Sequence, residues 1–107
     1  MNIGRVVGTV VATRKDETLV GSKLLITQPL DLRLRADGAA RVMVDTVGAG
    51  AGELVIYASG AAARNAARRS EGAIDMAIVG IIDTFDTNER WINAYNNGAG
   101  KEDEPVE

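Results

Sequence analysis

The stretch that decides the fold is Val44-Asp45-Thr46-Val47-Gly48-Ala49-Gly50-Ala51-Gly52-Glu53. A β-branched run stops at three glycines spaced by alanines, closes on one carboxylate, and re-enters Leu54-Val55-Ile56-Tyr57. Glycine tolerates positive φ and permits close backbone approach, so this spacing predicts a constrained loop between two strands. The same letters invite comparison with the dinucleotide fingerprint G-x-G-x-x-G. That comparison fails twice, because Glu53 stands where the third glycine belongs and the residues after it are strand-like rather than helical. A carboxylate there would also repel a pyrophosphate. The better reading is a loop whose backbone crowds against other backbone, its own or a neighbour's.

Outward from this loop the chain reads as a series of short strands. Ile3 to Thr13 is rich in Val and Thr and predicts a long first strand, with Gly8 in its middle marking a sharp bend. Ile3, Arg5, Val7, Thr9 and Val11 fall on one face, and Gly4, Val6, Gly8, Val10 and Ala12 on the other. Neither face is polar throughout, which implies that both are covered, one by the core and the other by a second subunit. Ser22 to Gln28 predicts the second strand, stopped by Pro29. Leu30 to Ala36 alternates with period two and ends at the turn signal Asp37-Gly38, a short excursion or hairpin arm. Arg41 to Val47, Leu54 to Ser59 and Asp75 to Asp83 complete the strands.

Ser59 or Gly60 introduces Ala61 to Arg69, the one convincing helix. Arg64, Arg68 and Arg69 are read as a solvated face near a helix C-terminus in preference to a nucleic-acid patch. Five or so short strands, one small helix and no βαβ rhythm indicate an all-β, partly closed barrel. Beyond it, residues 84–97 form a C-terminal arm carrying Trp91 and Tyr95, four residues apart. Trp91 is either an interface anchor or a cover for the barrel's open end. Residues 98–107 form an acidic tail, expected to be solvated.

Composition narrows the chemistry. The 107 residues suffice for one domain that buries about two-thirds of its unfolded surface. Aromatic residues are only 4%, so the core is aliphatic. Absence of Cys removes disulfides and thiolate metal sites, and absence of His removes the commonest general base and metal ligand. No cofactor or metal is expected. Asp45, Glu53, Asp75 and Asp83 adjoin strands, and each is explained as a loop or strand-end residue bonding backbone N–H groups. Gly21-Ser22-Lys23 has the wrong order for a phosphate loop, and Ser22 and Ser59 have no base to activate them. An enzyme is not expected.

The chain holds 12 basic and 15 acidic residues, of which one and four lie in residues 98–107. Residues 1–97 are therefore neutral, with nothing to attract a polyanion, and no nucleic acid is expected as partner. No basic segment followed by an apolar run opens the chain, and no apolar stretch reaches membrane-spanning length, so a cytoplasmic protein with no membrane contact is the default expectation.

The order of these segments resembles a known family, the pentameric vertex proteins of bacterial microcompartments, carboxysomes and ethanolamine-type organelles among them. The resemblance covers residues 1–83. It rests on Ile3-Gly4-Arg5-Val6-Val7-Gly8, Gly21-Ser22-Lys23-Leu24-Leu25, Gln28-Pro29-Leu30 and the Val44–Glu53 stretch. Ser59-Gly60-Ala61-Ala62-Ala63-Arg64 and Asp75 with Val79-Gly80-Ile81-Ile82-Asp83 complete it. It implies a small five-stranded barrel similar to an oligonucleotide-binding (OB) fold, assembled as a homopentamer with a narrow axial pore. Such pentamers occupy the five-fold vertices of a shell whose flat facets are built from hexagonal shell proteins. On that basis Gly48, Ala49, Gly50, Ala51 and Gly52 are expected at the axis, where larger side chains would collide. Val6, Val10, Glu53 and Trp91 are the expected subunit contacts. The alternative is an OB-like module binding single-stranded nucleic acid or another small ligand.

Overall fold

A computed structural model of the chain describes residues 1–13, 17–19, 21–68 and 74–87. The strands are β1 (Asn2–Val10), β2 (Lys23–Leu30), β3 (Arg41–Asp45), β4 (Leu54–Ser59) and β5 (Met76–Ile81). One helix, α1 (Gly60–Ala66), stands between β4 and β5, and a single 3-10 turn spans Glu17–Leu19. The strands close into a barrel in the order β1-β2-β3-β5-β4, the OB-like architecture expected. β1 is long enough to serve two neighbours: Ile3 to Val10 pair with β2, and Asn2 to Arg5 pair with β4. β3 and β5 are the one parallel pair, joined at Val44↔Ala77 and Asp45↔Ile78.

Successive strand residues point to opposite sides of a sheet, and here each side has its own cluster. Val6, Leu25, Met43, Ala49, Val55, Tyr57 and Ile78 fill the barrel. Their immediate neighbours Val44 and Ala77 face outward and pack with Ala63 and Ile74, so the small helix seals one outer wall. Alanine at 63 fits because the helix lies close to the strands, and that residue is fully buried.

Several local expectations are revised. Pro29 does not stop β2, which continues to Leu30 with Pro29 opposite Gly4. A residue's N–H and C=O leave a strand on the same side. Pro29 accepts the Asp37 N–H there at 2.9 Å, and β3 has not yet begun, so its missing donor empties no ladder position. The first strand is shorter than predicted, and its pairing slips between Val6 and Gly8. That bulge is the bend that Gly8 signalled. The helix closes at Ala67, and Ser59 stands at its N-cap without a side-chain hydrogen bond. The Gly60 N–H is taken instead by the Asp75 carbonyl at 2.9 Å. Arg69, Trp91, Tyr95 and the tail of residues 98–107 lie outside the described residues.

Gly4 is fixed by packing. A Cβ there would stand 2.6 Å from Thr27 Cγ2, 3.1 Å from the Gln28 carbonyl and 3.3 Å from the Tyr57 ring. Two of these neighbours belong to the barrel interior, where no rotamer change relieves the clash. Gly4→Ala is expected to destabilise the fold by about 1–3 kcal/mol through overpacking. Urea unfolding checks this, and an unchanged midpoint would mean that the strands separate at that point without cost.

The excursion after β2 is organised by Asp31, whose Oδ1 accepts the N–H groups of Arg33 (2.8 Å) and Arg35 (3.0 Å). These backbone bonds, Arg35's first, together with the charges of Arg35 and Arg33 hold the Asp31 carboxyl below its ordinary value, against a smaller desolvation effect. A depressed carboxyl pKa stabilises the folded form above the unfolded pKa, and that contribution disappears as pH falls through the folded value. Amide exchange at Arg33 and Arg35 is therefore expected to lose protection on acidification from the ordinary carboxylate range to below it. Protection that is flat across this window would remove Asp31 from that role.

Candidate assembly site: the glycine turn

The turn of residues 46–53 carries the chain from β3 to β4 past β5, which lies between them in the barrel. Consecutive strands usually meet in a hairpin, and here they do not. The backbone groups of the crossing therefore need partners other than a ladder. Asp45 supplies two, its Oδ1 accepting the Val47 N–H at 3.1 Å and its Oδ2 the Ala49 N–H at 3.0 Å. Glu53 supplies another, its Oε1 accepting the Gly50 N–H at 2.7 Å, while the Glu53 N–H returns to the Gly50 carbonyl at 3.1 Å. Lys23 reaches in from β2, donating to the Ala49 carbonyl at 3.0 Å and standing 3.7 Å from Asp45 Oδ2.

The far side of the turn is sewn to β1. Gly52 N–H donates to the Val6 carbonyl at 2.7 Å, Val6 N–H to the Glu53 carbonyl at 3.0 Å, and Arg5 to the Gly52 carbonyl at 3.0 Å. Thr46 anchors the near side through its N–H and its hydroxyl, both donating to the Ile78 carbonyl. Gly48 and Gly52 have φ of +79° and +88°, so these two positions are glycines for the backbone's sake.

Gly50 differs. Its φ is not positive, and a Cβ there would meet only Glu53 Oε1, at 3.7 Å. Nothing among the described residues requires glycine at that position. Ala49 points inward and is fully buried, so only its backbone belongs to the turn's outer surface, whereas Ala51 is exposed. Glu53, expected to contact a neighbour, spends one carboxylate oxygen on its own turn.

Among the other expected contacts, Val6 is fully buried in the barrel, and its side chain is closed to any partner. Val10 is half-buried, and Trp91 is outside the described residues. The exposed aliphatic of β1 is Val7, at 56% exposure, on the side opposite the buried Val6 by ordinary strand alternation. Val42, Val47 and Ile81 are exposed as well. Gly8 was the signal for the bulge that takes Val10 off the face of Val6, but a bend does not say which residue changes face.

An open groove lies beside the turn, lined among others by Lys23, Asp45, Thr46, Gly48 and Arg68. Its one carboxylate, Asp45, is 1% exposed and already engaged by two amides and Lys23, so no acid–base pair faces the groove. A stacking surface for bases is likewise missing among the described residues, since Tyr57 is inside the barrel and Phe85 is half-buried. No cluster able to hold a metal ion occurs among those residues, and none of their helices is long and apolar enough to cross a membrane.

The described residues form an OB-like barrel whose glycine turn is held by Asp45 and Glu53. Residues 1–83 match the family described as "Ethanolamine utilisation protein EutN/carboxysome", and the chain belongs to that family. It is 49% identical over 87 residues to the bacterial microcompartment shell vertex protein GrpN of Rhodospirillum rubrum, covering 81% of this chain and 98% of that protein. The solved structure of that pentameric microcompartment shell protein superposes with a TM-score of 0.74 at 50% identity, over 82% of this chain and all of the other. The carboxysome shell vertex protein CcmL of Gloeobacter violaceus is 40% identical over 90 residues, 84% of this chain and 90% of its own length.

Removing the Asp45 carboxylate leaves two turn amides without acceptors. Asp45→Ala is expected to cost about 2 kcal/mol in unfolding free energy, and to speed amide exchange at Val47 and Ala49 selectively. Equal exchange at both sites in the variant would show that the turn holds its shape without this group.

Proposed function

We propose that this chain is a structural component of a bacterial microcompartment shell, assembling as a homopentamer that caps the shell's five-fold vertices. The observation that carries this reading is the match to a vertex protein along 98% of that protein's length at 49% identity. Flat hexagonal sheets close into a polyhedron only where five-fold units interrupt them, so the mechanism is geometric and needs no catalysis. Hexagonal facet shell proteins are the heterologous partners this role requires.

Around a ring axis, one patch on each subunit meets a different patch on the next. Val7 and Val42, exposed on the outer wall, and Ile81, exposed at the end of β5, are the aliphatic side chains available for such a contact. Residues 48–52 face the axis, with Gly48, Ala51 and Gly52 exposed and Gly50 half-buried between them. Gly50 supports this placement because its own chain leaves room for a side chain, so the demand for none comes from outside.

Native mass spectrometry of the purified protein is expected to give a mass of five chains, and a stable monomer would refute the reading. Gly50→Val tests the axis. The barrel is expected to stay folded by circular dichroism, since a Cβ at position 50 would meet only Glu53 Oε1, at 3.7 Å. Pentamers are expected to weaken by at least about tenfold in dissociation constant, the scale of a crowded interface losing about 1.4 kcal/mol. An unaffected pentamer would place the turn in open space.

A further inference from the structure

The β2–β3 ribbon has two ends. At one, Lys23 pairs with Asp45 beside the glycine turn; at the other, Thr27 pairs with Arg41, and β2 runs on through Leu30 into the hairpin of residues 31–37. Eight strand residues separate the two ends by about 25 Å at ~3.3 Å per residue. The hairpin is therefore the end of the ribbon remote from the turn, and with the turn at the five-fold axis it is the end free to reach the rim of the pentamer.

The hairpin is built as a rigid knob. Asp31 N–H donates to the Arg35 carbonyl at 2.9 Å and Leu34 N–H to the Asp31 carbonyl at 2.8 Å, while Leu30 bridges Ala36. Gln28 Nε2 donates to the carbonyls of Pro29 and Gly38, both at 2.9 Å, and ties down the base. On this frame Leu32 is 47% and Leu34 36% exposed, two large aliphatic side chains presented to the outside. Leu34 has φ +63°, a left-handed conformation that glycine or asparagine adopts readily and leucine does not. A strained, exposed leucine on a braced hairpin is unfavourable for the subunit alone and becomes favourable when covered.

Charge narrows what covers it. Arg35 pairs with Asp31 at 3.5 Å. Arg33, whose Nε is buried without a hydrogen-bond partner among the described residues, and Arg41 remain as cations at this end, against the single carboxylate of Asp37. We infer that the hairpin of residues 31–37 is the vertex protein's contact with the facet: Leu32 and Leu34 enter an apolar recess at the edge of a hexagonal facet shell protein, with a carboxylate of that edge meeting Arg33. This contact rests on the proposed placement of the glycine turn at the axis and names the rim that placement creates.

The test uses the full chain, co-expressed with the hexagonal facet shell proteins of its own organism. Leu34→Gly keeps the left-handed backbone and deletes the side chain, and a second variant adds Leu32→Ser. The expected result is an unchanged native mass of five chains, and a melting temperature for Leu34→Gly no lower than wild type. Recovery of vertex protein with sedimented shells is expected to fall at least about fivefold, the scale of losing one anchor residue. Undiminished recovery for both variants overturns the inference while leaving the pentamer intact. A wild-type protein that is not pentameric fails the pentamer reading instead, and the native mass separates the two cases. Wild-type pentamers that pair with one another through this hairpin, and separate on Leu34→Gly, would assign the knob to a second copy and overturn the facet contact, as would wild-type pentamers that join no facet shell.

Discussion

Two carboxylates, Asp45 and Glu53, bracket the crossing from β3 to β4, and the rest of the molecule is conditioned by what they hold. Because β5 is inserted between those strands, the chain spans the end of the barrel without a ladder to pair its amides. A crossing of this kind in water is ordinarily mobile. Here Asp45 takes two amides, Glu53 takes one, and β1 takes the remaining side through Val6 and Gly52. The turn thereby finds acceptors for amides that have no ladder to pair with. Between the exposed Val47 and Glu53 its outward surface is made of the small residues Gly48, Ala51 and Gly52. Order held before assembly reduces the entropy lost when subunits meet, which makes such a turn suited to a repeated contact.

The fold was legible where residue type and backbone geometry coincide. β-branched runs marked the strands, Gly8 marked the bend of β1, and Asp37-Gly38 marked the excursion after β2. The errors share one cause, which is that an element's limits depend on partners absent from its own sequence. Pro29 reads as a stop because it lacks an N–H, yet it sits where the facing edge has no strand to receive one. The N–H at the start of α1 finds its acceptor in Asp75, about fifteen residues further along the chain, a contact that no cap rule anticipates.

The assembly site was legible in part for the same reason. Glu53 could be read as hostile to a pyrophosphate, because a charge is a property of the residue. Its bond to the Gly50 amide is a property of the fold. Period-two counting assigned Val6 and Val10 to one face, but a bulge adds one residue and shifts every later side chain by a face. Gly8 and Val10 thus pair with Ile26 and Leu24 and leave the face of Val6, which pairs with Thr27 inside the barrel. Spacing alone could not show that Gly48 and Gly52 answer to backbone conformation whereas Gly50 does not.

The barrel interior connects these observations to assembly. Among the described residues its apolar filling is seven side chains, of which Tyr57 is the aromatic one, so the apolar area they bury is modest. Several aliphatic side chains remain outside, Val7 and Val42 on the barrel wall, Ile81 at the end of β5, and Leu32 and Leu34 on the hairpin. A protein that spends its aliphatic residues this way gains stability from whatever covers them, and that gain rises with the concentration of the covering partner. In the proposed ring the wall residues would be covered by identical subunits, so that folding and ring formation would reinforce each other. The hairpin residues lie at the opposite end of the β2–β3 ribbon from the turn. On the proposed placement they are the apolar surface that closing the ring would leave exposed, and a surface left over after five-fold closure is the one through which a vertex can be held by something other than itself.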